Sequence, residues 1–583
     1  MKKYIAIALV ASVGLSLTSC NDFLDDNRYP KTSIVNSPEY WTNPNNVQLQ
    51  LDRFVDELTQ AYGTGGTGGW FYFRTLNDDQ VGSSFADWTY PTIPAKAESD
   101  WKYTVIRGVS YVLDNISPTA LSSSDYANFS GIARLVRGYT YYNLVRKYGD
   151  VVWVDHVVDP TDSEILYGPR TSRDIVMDYV IEDLQYASQN IQAQSSATTW
   201  SKDYALATLS EVALYEGTFC RYRTKADNGL EPDEARAKKY LAISASASED
   251  LLGRYGFTND YHSIYNSLWT SAESTVIPGS KITGLSENPE LIVGRRYDET
   301  NGRHSTISYT CSSTTTSGMS LDGFKSFLYL DGKPYGGESL EGENTTFNGQ
   351  PAYSIQKLLD VRDKRLSIIT DPYVYYAGMT WSRNGASGMM TSSGFGIAKY
   401  DNVLLPVTAR QNSAQNYTSA PMYWTSYIAL NYAEAKAELG QFGDAEFAKS
   451  LKKLYERAGL TIITGVAAMK AITDPANKEG IDNLLYEIRR CRRCELMFDN
   501  WYRYWDLVRW HQLDRLDSKK NPDILRGAYV GNANVKPATV DAEGYVRPYP
   551  TNNRIYNAKY YLYPIPTEQR QLNPKLGQNP GWN

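Results

Sequence analysis

The sequence predicts a mainly α protein, a scaffold of paired helices carrying large irregular loop insertions and a few short strands. Three observations support this. Apolar residues recur at helical spacing over 101–116, 125–148, 172–191, 202–221 and 232–252. From about 255 to 417 the pattern gives way to Gly, Ser, Thr and Asn with scattered aromatics, and helical spacing returns over 423–439, 445–457 and 481–498.

An earlier helix is signalled by Asn43-Pro44-Asn45 followed by Val47, Leu51, Phe54, Val55 and Leu58 on one face. It runs into a glycine-rich stretch, 63–69, which lacks the Lys-Ser/Thr of a phosphate loop and reads as a flexible linker. The later helices follow one another through short turns, with small residues such as Ala205, Ala207 and Ala213 and recurrent tyrosines, and resemble a degenerate tetratricopeptide-like array. The central stretch is too long to be a simple connection, and its aromatics argue against disorder, so it is expected to be a functional loop region with strand-like runs such as 291–293.

Lys2 and Lys3 precede an apolar run over 5–17 and a small-residue segment closing on Cys20, the order of an export signal. The run is shorter than the roughly 18 to 20 residues that cross a bilayer. Leu17-Thr18-Ser19-Cys20 resembles a bacterial lipobox, which implies that 1–19 is removed and that Cys20 is acylated, palmitate included, to anchor the chain. Removing two lysines takes the net charge from −6 to about −8, which argues against a nucleic-acid partner. Cys491-x-x-Cys494 sits in a charged helical pattern with no second cysteine pair and no histidine beside it, so both are read as packing residues; no metal or cofactor is expected.

The aromatics are biased: 47 Tyr and 13 Trp against 15 Phe. Tyr and Trp join an apolar face to a polar tip, which suits sugar rings as well as helix packing with hydroxyls at the surface. Charged residues in the apolar C-terminal stretch, Arg492, Glu495, Arg503, Asp506 and Arg509, persist only if paired and are read as an ion-pair network joining the C-terminal helix to the tail.

Several segments carry a family resemblance. Asn21-Asp22-Phe23-Leu24-Asp25, Ala133-Arg134-Leu135-Val136-Arg137-Gly138-Tyr139, Asp331-Gly332-Lys333-Pro334 and Asn431 to Gly440 are among them. So are Arg503-Tyr504-Trp505-Asp506-Leu507-Val508-Arg509-Trp510, Tyr563-Pro564-Ile565-Pro566 and Asn579-Pro580-Gly581-Trp582. Together they resemble the SusD/RagB family of surface lipoproteins. One local departure is that Trp501 and Tyr502 stand where the family usually has one residue, and Asn500 where it has glycine. Asparagine tolerates left-handed backbone, so the turn should survive.

The resemblance implies a SusD-like domain over 20–583, with a helical-repeat part at 20–254, a loop-rich part at 255–420 and C-terminal helices and tail at 421–583. It implies an outer-membrane, lipid-anchored, surface-exposed protein that captures glycan, or alternatively peptide, for a SusC-like TonB-dependent transporter. Two loops are candidate ligand sites. The first holds Trp70, Arg74, Asp79, Trp88 and Tyr90; the second holds Trp269, Arg296 and Tyr297 and is extended by Trp381. Trp88 is singled out because no periodic apolar pattern surrounds it. A glycoside hydrolase would need paired carboxylates, for which Asp78, Asp79 and Asp87 are the candidates. No G-x-S-x-G or H-E-x-x-H motif is present, so no catalytic residue is assigned.

Overall fold

The computed structural model describes residues 35, 37–58, 62–63, 76–82, 85–96, 100–193, 196–300, 302–311, 317–347, 349–374, 391–534, 536 and 539–582. Its frame is helical. α1 is Pro44–Asp52, α2 Thr104–Asn115, α3 Ser123–Tyr148, α4 Arg173–Asn190, α5 Lys202–Tyr222 and α6 Glu234–Leu252. After the loop-rich part come α7 (Thr425–Glu438), α8 (Asn483–Glu495) and α9 (Tyr502–Arg509). The expected helix at 445–457 is broken into two short ones, Asp444–Ser450 and Lys452–Arg457. No described helix is long and apolar enough to cross a membrane.

Three of the long helices, α3, α5 and α6, start where a short polar side chain accepts a free N–H group. Ser122 Oγ accepts from Asp125 N (3.1 Å), Ser201 Oγ from Tyr204 N (3.1 Å) and Asp233 Oδ1 from Arg236 N (2.9 Å). α3 stops at Gly149, whose φ of +70° a side chain would resist. Packing runs in chain order, α2 on α3, α3 on α4, α4 on α5 and α5 on α6, as in an array of repeated helix pairs. α7 then packs on α6 although about 170 residues separate them, and α8 packs on α7. The loop-rich part is thus an insertion into a continuous array.

Buried ion pairs fix the order of the array. Arg137 of α3 grips Asp183 of α4 through two bonds (2.7 and 2.8 Å), and Arg173 of α4 pairs with Glu216 of α5. The loop-rich part adds small antiparallel sheets. β1 (Gln80–Gly82) pairs with β3 (Ser317–Met319), Gln80 opposite Met319; β2 (Leu291–Arg295) pairs with β8 (Ala420–Trp424), Ala420 opposite Arg295. β4 (Glu343–Phe347), β5 (Gln350–Ser354), β6 (Thr370–Val374) and β7 (Phe395–Ile397) form a four-stranded sheet in that order. β8 leads straight into α7 and so returns the insertion to the array.

At Gly217 α5 and α6 approach so closely that a Cβ would lie 2.8 Å from Leu241 Cγ and 3.2 Å from the Ala237 carbonyl oxygen. Alanine would gain about 1 kcal/mol in helix propensity, but forcing two helices apart costs about 1–3 kcal/mol. Gly217→Ala is therefore expected to lower the urea midpoint; a raised midpoint would show that the interface yields easily.

His304 is buried in the insertion between the rings of Tyr62 and Tyr297, at 4.7 and 5.0 Å. Its Nε2–H donates to the Thr418 carbonyl (2.9 Å) while Nδ1 accepts from Thr306 N (3.2 Å), an arrangement only the neutral ring can make. Burial holds its pKa down at about 3 against the usual 6.5. The unfolded chain therefore takes up the proton first: the stabilisation is complete above pH 6.5 and is lost as pH falls toward 3. Between pH 7 and pH 4 the native protein should lose on the order of 3 kcal/mol more than His304→Gln in urea titrations. Equal losses would refute this role for His304.

Candidate functional site

None of the described candidate residues of the two loops lines a described cleft. Cys20, Trp70, Arg74 and Trp381 lie outside the described residues. Trp88 is 5% exposed: its Nε1–H donates to the Ile555 carbonyl (2.7 Å) and its ring stacks on Tyr560 at 4.3 Å, so it fastens the first loop to the C-terminal tail. This corrects the expectation of an open ligand platform. Tyr297 is likewise buried, with its hydroxyl donating to the Tyr62 carbonyl. Trp269 is half-buried against the core, and Arg296 is exposed and paired with Asp298 (2.7 Å).

Asp79 is also corrected, together with Asp78. Both are buried; Arg503 holds Asp78 through two bonds of 2.7 Å, and Arg493 Nε holds Asp79 at 2.7 Å. Burial alone would raise Asp78, yet Arg493, Arg503 and Arg515 hold its carboxyl well below the usual range. Asp79 is raised, by burial first and then by the charge of Asp78, against the pull of Arg493. These carboxylates are structural ion partners with no surface to offer a sugar. The network predicted around α8 and α9 exists, with a different reach. Arg492 bonds Asp506 (2.9 Å) and Asp506 bonds Arg509 (2.9 Å), whereas Glu495 binds Arg365 and Arg457, and Arg503 reaches the first loop rather than the tail.

Cys220, Cys491 and Cys494 are buried free thiols, and burial pushes Cys491 up to about 12. Asp174, Glu216 and Cys220 stand close enough together to suggest a metal site. Their oxygens are already taken by Arg223 and Arg173, which leaves a cation no favourable place.

A cleft of about 760 Å³ opens between α3 and the start of α9. Trp501 and Trp505, one helical turn apart, form one side with Tyr563; Asn143 and Lys147, also one turn apart on α3, stand on the other with Asp100. Trp501 is brought there by a turn in which Phe498 and Asn500 take φ of +71° and +47°, the left-handed geometry expected at Asn500. Asp100 accepts from the Tyr90 hydroxyl (3.0 Å) and from Lys147 Nζ, so Tyr90 braces the cleft from behind, edge-on to Tyr563 at 4.9 Å. Burial pulls the Lys147 ammonium below its usual pKa, opposed by Asp100.

Arg146 completes the lining. Its guanidinium lies 4.5 Å from the Trp505 ring centre and 4.9 Å from that of Tyr142. Its buried Nε–H has no acceptor among the described residues. Flat rings beside fixed donors and acceptors suit a ligand with an apolar face and a hydroxylated edge. The sequence reading passed over these residues. The signal was present as two pairs at i, i+4 spacing, 143/147 on a helix assigned to the scaffold and 501/505 in a stretch read as an ion-pair network.

A family model described as the SusD family matches residues 289–582. The chain belongs to the SusD family. A second model, described as starch-binding associating with outer membrane, matches residues 24–214. SusD-like protein P38 of Formosa agariphila is 23% identical over 527 residues, 87% of this SusD-family chain and 92% of its own length. A SusD-like carbohydrate binding protein from Bacteroides fragilis matches with a TM-score of 0.65 and 18% identity, covering 92% of this chain and 99% of its own. A SusD homolog from Bacteroides thetaiotaomicron gives 0.57 at 16% identity, covering 94% and 99%. At such identities the structural matches establish the SusD fold alone.

Proposed function

We propose that this SusD-family protein captures poly- or oligosaccharide at the outer-membrane surface without transforming it, and delivers it to a SusC-like TonB-dependent transporter. Acylated Cys20 is its anchor. The observation that carries the reading is the cleft between α3 and α9, where the half-buried ring of Trp501 stands across from the polar side chains of Asn143, Lys147 and Asp100. Family membership supports the same reading: one matching family is described as starch-binding, and a solved relative as carbohydrate binding. Capture rather than hydrolysis is supported by the burial of Asp78 and Asp79 under arginines.

Isothermal titration of residues 21–583 against soluble plant, host and microbial glycans tests the reading. Saturable binding without release of reducing ends is expected, weakened about tenfold or more by Trp501→Ala through loss of the stacking face. Release of reducing ends would identify an enzyme; silence across the panel with a copurifying peptide would move the assignment to peptide capture. For the anchor, Cys20→Ala is expected to abolish palmitate labelling and shift the protein from the outer-membrane fraction to the soluble one. Unchanged labelling of that variant would refute lipidation at Cys20.

A further inference from the structure

α9 has two faces. Trp501 and Trp505 border the first cleft, while Arg503, offset from each by two residues and so about 200° round the helix, points the other way. On that side lies a second pocket of about 380 Å³ that shares no lining residue with the first.

Its lining is unusually cationic. Arg489, Arg490 and Arg493 come from α8, Arg503 from α9 and Arg515 from the turn that follows. Lys325 and Lys478 stand among them. The carboxylates lining the same pocket are Asp322, Asp474 and Asp523, and each already has a cation: Arg493 (2.6 Å), Arg490 (3.2 Å) and Lys325 (2.8 Å). The other arginines lean on carboxylates outside the lining, Arg503 on buried Asp78, Arg489 on the buried side chain of Glu438 and Arg515 on the exposed Glu479.

These pairings neutralise charge but leave hydrogen-bonding capacity over. A guanidinium carries five N–H donors. Arg489, Arg490 and Arg515 each have a buried Nε–H that makes no hydrogen bond among the described residues, those of Arg489 and Arg515 facing Glu434 and Asp78 only at 3.9 and 3.8 Å, and the side chains of Arg489 and Arg490 are only 6% exposed. Lys478, at the rim, is exposed and has no ion-pair partner among the described residues. Buried donors without acceptors are costly, and the group that would satisfy several at once is a multidentate oxygen anion. Asn521, Gln512 and Ser326 add neutral polar contacts, and the volume exceeds that of a single small ion.

We propose that this pocket is a second binding site, for a compact oxyanion group. The carboxylate of an acidic saccharide and a free inorganic anion share that chemistry. The site is separate from the neutral-glycan cleft and does not depend on it.

Low-salt titration of the signal-free protein with inorganic phosphate, sodium glucuronate and glucose tests this, low salt being needed because exposed charge is screened. Saturable binding of phosphate or glucuronate, with none of glucose, is the expected result. Phosphate tighter than glucuronate would identify a free-ion site; glucuronate tighter than phosphate, an acidic-saccharide site. Lys478→Glu, a surface change that touches no structural bond, should weaken binding about tenfold by placing like charge at the rim. Arg515→Gln should weaken it further. Absence of saturable binding to both anions, or binding that neither substitution alters, would overturn the proposal, whatever neutral glycans do at the other cleft.

Discussion

A buried charge survives in a protein only when it is paired, and α8 places more of them inside than any other described helix. Arg489, Arg490, Arg492, Glu487 and Glu495 are buried, and Arg493 nearly so. Their partners come from every part of the chain: Asp78 and Asp79 before β1, Arg365 and Arg457 from the insertion and the short helices after α7, Glu434 and Glu438 from α7, and Asp506 from α9. Against apolar side chains of the same volume such pairs add little net stability, whereas removing one partner of a pair costs roughly 3–5 kcal/mol. The helix therefore acts mainly on specificity, since a misplaced insertion would leave charges stranded around it.

The same constraint positions both clefts. Arg503 is drawn to Asp78, and Arg509 to Glu434 through two bonds of 2.6 and 2.7 Å. With both ends of α9 fixed in rotation, Trp501 and Trp505 are left on the face toward α3. The turn before α9 is held by Lys399, which donates to the Met497 carbonyl (2.8 Å) and pairs with Asp499 (2.8 Å), and by Tyr400, which donates to the Phe498 carbonyl (2.9 Å). The left-handed residues Phe498 and Asn500 are thus secured by the insertion, so the aromatic wall of the first cleft depends on segments far from it in sequence.

This dependence explains what could be read from the sequence and what could not. Helices with clear apolar spacing and short polar caps, α3 to α6 above all, are local objects and appear within a few residues of their expected bounds. The need for Arg492, Asp506 and Arg509 to pair was legible from charge in an apolar stretch. Trp88 misled because its surroundings in sequence are polar; its partners are Ile555 and Tyr560, some 470 residues later, and no local pattern announces them. Asp79 misled in the same way, since its partner Arg493 lies on a helix that reads as scaffold. Trp501 was visible as an extra residue in a familiar motif, but its role follows only from the turn that aims it.

The excess of tyrosine over phenylalanine has a structural cause of the same kind. An irregular insertion leaves backbone carbonyls without ladder partners, and each buried unsatisfied one costs about 1–3 kcal/mol. Tyrosine buries a ring and brings its own donor. Tyr62 donates to the Tyr265 carbonyl (2.9 Å), Tyr297 to that of Tyr62 and Tyr261 to that of Glu495 (2.8 Å), while Tyr265 donates to Asp499 (2.8 Å). These four stitch the insertion to itself and to the end of α8. Phenylalanine would fill the same space and leave the carbonyls unanswered. Composition alone could not separate this use of tyrosine from ligand stacking, because both need an apolar face with a polar tip; what separates them is whether a backbone carbonyl or open space lies in front of the ring.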